Sequence, residues 1–263
     1  MSDEQAATKA LPIAIPEYHQ SAINMFLKCP RQYMFRYLMG LILPPKSALT
    51  VGRSMDAAFT HNFKQKVMSK QDLPLSDVVD AFSSEFDRCS SGTDWNGEDP
   101  GEQKDLGIKM TKAFQEKASA KIQPKTVQES ARVETDAGYA LAGTFDVVDE
   151  QDIIRDQKSS KTEYPTDAVS NEVQPAVYDF LYTAKHGKKP KAFAFDVITK
   201  HKKEPRYQEV TGEVTEAQTN QLFESINIMH GQIQRGEFQY APSGAWWCSK
   251  DWCGYWHLCK GKR

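Results

Sequence analysis

Apolar positions at helical spacing dominate the first half of the chain. From Glu17 to Leu38, the residues Ile23, Phe26, Leu27, Tyr33, Phe35, Tyr37 and Leu38 predict helix. Pro30 must interrupt or restart it, because its ring removes a backbone donor. Gly52 to Met68 reads as a second helix. Leu75 to Arg88 reads as a third, with Val78, Val79, Phe82 and Phe86 on one face, and Lys104 to Lys121 as a fourth. Pro44-Pro45 and the Ser-, Gly- and Asp-rich stretch Cys89 to Gly101 read as loops. The period then changes. Thr126 to Asp136, Tyr139 to Val148 and Asp152 to Gln157 run or alternate at strand length, a meander of three strands. Asp167 to His186 returns to helix, Ala192 to Thr199 predicts a buried strand, and Tyr207 to Val214 an edge strand. Thr215 to Arg235 predicts a long helix with Thr215 as N-cap and Gly236 as the stop. Phe238 to Arg263 is irregular and rich in Trp and Cys.

This order predicts a mixed α/β (α+β) fold with a central sheet flanked by helices. The expected organisation is a flexible arm over 1–16, a helical region over 17–122, a core over 123–237 and a cysteine-rich tail over 238–263. No internal repeat interrupts it.

Composition adds little to the fold but restricts the function. Of 263 residues, 40% are hydrophobic and 26% charged, which is ordinary for a globular protein. No apolar run is long enough to cross a bilayer. The polar, acidic stretch Met1 to Lys9 does not read as a secretory signal, so a cytoplasmic location is expected. A formal net charge of -2 argues against a protein that simply coats nucleic acid. The basic residues nevertheless cluster: Lys185, Lys188, Lys189, Lys191, Lys200, Lys202, Lys203 and Arg206 form a candidate DNA track, although such a run is more commonly a solvated face.

The informative chemistry is Gly143-Thr-Phe-Asp146, then nine residues, then Asp156-Gln-Lys158. On adjacent strands of a hairpin, two carboxylates so spaced can converge on one cation. Lys158, two residues beyond Asp156, faces the same side of its strand. Two hard oxygen ligands suit Mg²⁺ or Mn²⁺, and a neighbouring ammonium can orient water and offset developing charge. An Asp-x-Lys tripeptide alone is more often an edge salt bridge. Its setting in the meander raises the catalytic reading.

Further motifs make the chain resemble the PD-(D/E)XK nuclease superfamily, specifically its RecB-like branch with the CRISPR-associated and AddB-type four-cysteine exonucleases. Ser21 to Tyr33, ending Cys-Pro-Arg-Gln-Tyr, is similar to that branch's N-terminal signature. Gly143-Thr-Phe-Asp146, Asp156-Gln-Lys158 and Gln174-Pro-Ala-Val-Tyr178 resemble its G-x-x-D, (D/E)-x-K and Q-x-x-x-Y motifs. The resemblance implies a restriction-endonuclease-like αβββαβ core. It implies that Asp146, Asp156 and the Gln157 backbone carbonyl hold the metal, that Lys158 is catalytic, and that Gln174 and Tyr178 line a DNA cleft. Where the family often carries a histidine on the second helix, Gly52-Arg-Ser-Met-Asp56 offers Asp56 as a further candidate ligand. His61 is a weaker one. Glu134, on the strand before Asp146, is also a candidate, balanced against an exposed strand carboxylate.

Three of five cysteines, Cys248, Cys253 and Cys259, fall within twelve residues, which suggests metal ligation more than disulfides. In the resembled nucleases an N-terminal cysteine completes a [4Fe–4S] site, and Cys29 occupies that place. A four-thiolate zinc site, or one with His257 replacing a thiol, is the alternative. Cys89 has no partner in the pattern. The expected function is a Mg²⁺- or Mn²⁺-dependent DNA exonuclease acting at DNA ends or single strands, in phage or bacterial recombination, replication or repair, with a helicase or recombination protein as a prospective partner and oligomers open. The alternatives are a non-catalytic DNA-end or partner-binding module, a subunit of CRISPR-adaptation type, and a small-molecule metalloenzyme.

Overall fold

The computed structural model describes residues 15–200 and 204–260. The arm expected over 1–16 therefore lies almost wholly outside the described residues, as do Lys202, Lys203, Lys262 and Arg263. The fold is mixed α/β, with a central mixed sheet flanked by helices, consistent with a restriction-endonuclease-like architecture.

The chain enters through a two-residue strand, β1 (Glu17–Tyr18), where sequence periodicity predicts helix. Tyr18 is buried here, and its hydroxyl meets His230 Nδ1 at 2.8 Å, so burial fixes an extended start. Helix α1 (Gln20–Lys28) ends at Cys29, and α2 (Pro30–Tyr33) restarts with Pro30 at its first position, where the missing N–H has no partner to lose. A π-helical turn, Met34–Leu38, leads into the Pro44-Pro45 loop. Three longer helices follow: α3 (Ser47–Ser69), α4 (Leu75–Ser90) and α5 (Pro100–Lys117), the last capped by the Asp99 side chain accepting from the Glu102 N–H. They close a core containing Phe59, Phe63, Phe82 and Phe114, and burying each ring contributes roughly 1.5–3 kcal/mol.

Strands β2 (Pro124–Glu134), β3 (Ala140–Asp149) and β4 (Ile153–Ser160) form the predicted meander. After α6 (Ala168–Asn171) and α7 (Val173–His186), β5 (Ala192–Thr199) returns parallel to β4 and β6 (Arg206–Gly212) pairs antiparallel to it. Helix α8 (Glu216–Gln234) starts from a complete Thr215–Gln218 capping box. With α7 and α1 it covers a second core built on Phe145, Ile154, Phe193 and Phe195. The tail is mostly turns, with one short helix, α9 (Trp256–Cys259).

One detail of the sheet decides where the chemistry sits. Strand β3 pairs with β2 along its length, but with β4 only at Val147↔Arg155 and Val148↔Ile154. The next pair in that register is Asp146 and Asp156, and there the two strands part. At its other end the same edge of β3 accepts β1, through Glu17↔Ala140 and Tyr18↔Leu141. The sheet therefore opens a fork between β3 and β4.

Candidate active site

Asp146 and Asp156 stand at the mouth of this fork. They line a cleft of about 400 Å³ together with Gln157, Lys158, Gln174 and Tyr178. Residues of α1 and α3 close it from the other side, among them Gln20, Gly52, Arg53 and Asp56. Alternation along β4 turns Ile154, Asp156 and Lys158 to one side of the sheet and Arg155 to the other. There Arg155 is locked by Asp149 at 2.8 Å, Asp196 at 3.2 Å and Glu209 at 2.9 Å. Burial pushes the Asp196 carboxyl up to about 6 despite the guanidinium beside it. The strand carrying Asp156 is thus anchored from behind by a buried ionic network.

On the cleft side, Gln174 of α7 ties two site residues together. Its amide donates to Asp156 Oδ1 at 2.5 Å, and its carbonyl accepts from Lys158 Nζ at 3.0 Å. Lys158 also stands 2.7 Å from Asp156 Oδ2. Burial lowers the affinity of the Lys158 ammonium for its proton, but the Asp156 and Asp146 carboxylates outweigh that and the net shift is upward. Lys158 is therefore held as a cation. Tyr178 is kept protonated by burial and by the same two carboxylates.

Helix α7 can lie so close because residue 143 is glycine. A Cβ there would stand 2.9 Å from Tyr178 Cε1 and 3.0 Å from Leu181 Cδ1, inside the contact limit. Gly143 of the motif is thus a packing requirement: it lets the Gln174–Tyr178 face reach the fork.

Repulsion among carboxylates sets the electrostatics of the cleft. Burial pushes the Asp146 carboxyl well above the usual range, and Asp156 and Asp56 push it further. Asp56, although open to solvent in the cleft, is raised by the protein around it and then by Asp156. Asp156 Oδ2 is buried and receives no well-aligned hydrogen bond, even with Lys158 near. Three carboxyl groups on one cleft, one with a buried oxygen that faces only the Lys158 ammonium, fit a hard divalent ion. Among the described residues no set of three or more His, Cys, Asp or Glu side chains is already drawn together as a metal site.

Glu134 is not brought to the cleft. It pairs with Ala140 at the far end of the β2–β3 hairpin and bonds Arg132 at 2.7 Å. His61 is exposed on α3 and does not line the cleft either. Within the described part of the basic run, Lys185 pairs with Glu129, Lys188 with Asp152 and Lys189 with Asp179, and none of the three lines the cleft. Sequence reasoning missed Gln20, Arg53 and Gln128. Gln128 sits in β2 directly across the register from Asp146, between the pairs Val127↔Val147 and Glu129↔Phe145. Its φ is 53°, left-handed and rare for such a residue, and its amide reaches Thr60 at 3.1 Å and Asp56 at 3.4 Å. No local pattern marks it.

Cys29, Cys248, Cys253 and Cys259 all line a second pocket, with Phe35, Tyr255 and Trp256 and the cations Arg31 and Lys260, without being drawn together as a ready metal site. The Cys259 thiol is raised by burial and feels the other three thiols as neighbours. Gln32 donates to Cys253 Sγ at 3.2 Å. Cys89 lies apart, against Glu85. His257 does not line this pocket.

Comparison with known proteins agrees with this geometry. The chain aligns with a solved protein from Eubacterium rectale described as a candidate exonuclease. The match has a TM-score of 0.62 and 15% identity, and covers 99% of this chain and 94% of that one. At that identity the likeness is one of fold. SSO0001 aligns at a TM-score of 0.44 and 13% identity, over 96% of this chain and 89% of that one, too distant to carry an argument. No curated protein matches the sequence. The family model of the PD-(D/E)XK nuclease superfamily matches residues 19–260. A match of that extent, over a forked sheet presenting Asp146, Asp156 and Lys158, places the chain in the PD-(D/E)XK nuclease superfamily.

Proposed function

We propose that the protein is a Mg²⁺- or Mn²⁺-dependent DNA exonuclease, with Asp146, Asp156 and Lys158 as its catalytic set. The observation that carries the reading is the fork, which sets two crowded carboxylates at the same register level with Lys158 beside them. Asp146, Asp156 and the Gln157 carbonyl would hold the ion, with Asp56 facing them as a further ligand. When bound, the ion supplies an acidified water and neutralises charge on the phosphate. The chain's own residues do the rest. Lys158, kept protonated, offers its ammonium to a phosphate oxygen or to the attacking water. Gln174 holds Lys158 and Asp156 at fixed separation, and Tyr178 keeps a hydroxyl donor at the cleft wall.

Exonuclease rather than endonuclease action is supported by the RecB-like motif set and by the description of the Eubacterium rectale neighbour. Four soft thiol donors lining one pocket are the residues that would hold a [4Fe–4S] cluster. A four-thiolate zinc site uses the same residues. DNA is the partner this reading requires, in recombination, replication or repair, with a helicase as a prospective source of single strands.

The test is degradation of end-labelled linear DNA in Mn²⁺, alongside a circular single strand. The expected result is loss of the linear substrate, survival of the circle, and no activity in Asp156→Ala or Lys158→Ala. Degradation that persists in both variants overturns the assignment. Visible absorbance with iron and zinc analysis decides the metal of the thiol pocket.

A further inference from the structure

A second groove runs on from the catalytic cleft. It has a volume of about 530 Å³ and lies between the Pro44-Pro45 loop and the cysteine-rich tail. Leu49 and Arg53 line both spaces, so the groove and the cleft adjoin. Its lining carries three cations, Arg36, Lys46 and Arg53, against one carboxylate, Asp94. Its apolar lining is unusually open to solvent: Ile42 is 76% exposed, Trp252 63% and Leu49 49%. Trp252 is braced edge-on by Trp246 at 5.0 Å, which holds one indole while leaving it uncovered. The two walls are fitted to each other at Gly254, where a Cβ would stand 2.3 Å from Leu43 Cδ1. The groove is therefore a built junction between loop and tail.

Cations that track a backbone, interleaved with aromatic and aliphatic faces, are what unpaired nucleotides recognise. A duplex offers its phosphates but keeps its bases stacked inside. We propose that this groove binds the single-stranded part of a DNA substrate, with Arg36, Lys46 and Arg53 along the phosphates and Trp252 stacking on a base. Leu49 and Arg53 hand the strand to the fork. This rests on the nuclease reading and adds to it a substrate class and a direction of approach.

Binding is measured in an Asp156→Asn background, so that DNA is held without being cut. The probes are fluorescein-labelled oligo(dT) of about 4 and about 16 nucleotides and a blunt duplex of about 16 base pairs. The longer strand is expected to bind more tightly than the shorter one or the duplex and to quench tryptophan emission. Trp252→Ala and Arg36→Ala are each expected to weaken binding of the longer strand at least about fivefold and to erase its advantage over the shorter one. The quench is expected to shrink in Trp252→Ala. Melting curves check that both variants are folded, which the exposure of Trp252 favours. Unchanged affinity and quench in both folded variants overturn the proposal. If the unaltered protein still degrades DNA in that case, the nuclease reading stands and only the groove falls. If the unaltered protein neither cuts nor binds DNA, the nuclease reading falls and takes the groove with it.

Discussion

Gln174 and Asp156 are joined by a hydrogen bond of 2.5 Å across the gap between α7 and β4, and the same Gln174 side chain accepts from Lys158. A residue that fixes two members of a catalytic set acts through their positions. Gln174→Ala is expected to lower kcat about 10- to 100-fold, in line with the loss of a ligand's outer partner, while KM changes less. Steady-state kinetics on linear DNA in Mn²⁺ checks it. An unchanged kcat removes Gln174 from the mechanism.

Asp146 is expected to be a liability for the metal-free protein. Its ionised form is penalised by burial and by Asp156 and Asp56, so Asp146→Asn removes a repulsive charge at nearly constant shape. The variant is expected to melt at a higher temperature than the parent in chelator. Mn²⁺ is expected to raise the melting temperature of the parent and not of the variant, because ligand binding stabilises only a competent site. Differential scanning fluorimetry with and without metal reads both.

Gly143→Ala tests the packing behind the motif. The added methyl meets Tyr178 and Leu181 at 3.0 Å or less, so α7 must retreat or the side chains must turn. A loss of about 1–3 kcal/mol is expected from overpacking, read by urea denaturation. Activity is expected to fall further than stability alone explains, since Gln174 moves with α7.

Gln128 holds a left-handed backbone in the middle of a strand, opposite Asp146. Gln128→Gly is expected to be near-neutral in stability. Gln128→Val is expected to cost at least about 1–2 kcal/mol more than the glycine variant, because a β-branched residue tolerates that conformation poorly. Urea midpoints of the two variants give the comparison.

His230 makes the fold acid-sensitive. Burial lowers its pKa below the ordinary imidazole value of 6.5, and Nδ1 is hydrogen-bonded to Tyr18. A depressed folded-state pKa means the unfolded chain takes up the proton more readily. This contribution to stability is therefore present above about pH 6.5 and is lost as pH falls through the lower folded-state value. Melting temperature is expected to drop between pH 7 and pH 5, with a shallower slope in His230→Gln.

Much of this was legible in the chain. Helices, meander and the returning strand follow from periodicity, Asp146, Asp156 and Lys158 from their spacing on adjacent strands, and Gln174 and Tyr178 from the resemblance to the superfamily's motifs; the structure brings all five to one cleft. What escaped depends on register and on packing between distant segments. Strand β1 forms because Tyr18 finds His230 at a separation of 212 residues. Glu134 was a candidate because it lies on the right strand, yet the hairpin register carries it to the wrong end. Arg53 and Gln128 join the site through the approach of α3 to the sheet, which no local pattern encodes.

Cys29 and the three tail cysteines line one pocket, which brings the two ends of the described chain side by side, with one wall of the proposed track formed by the tail. If the pocket holds the metal proposed for it, an oxidant or chelator that empties it would slacken that wall while leaving Asp146 and Asp156 anchored in the sheet. Bond cleavage and grip on a long strand would then fail separately. On the proposed exonuclease reading, such damage would shorten the run per encounter before it abolished cutting.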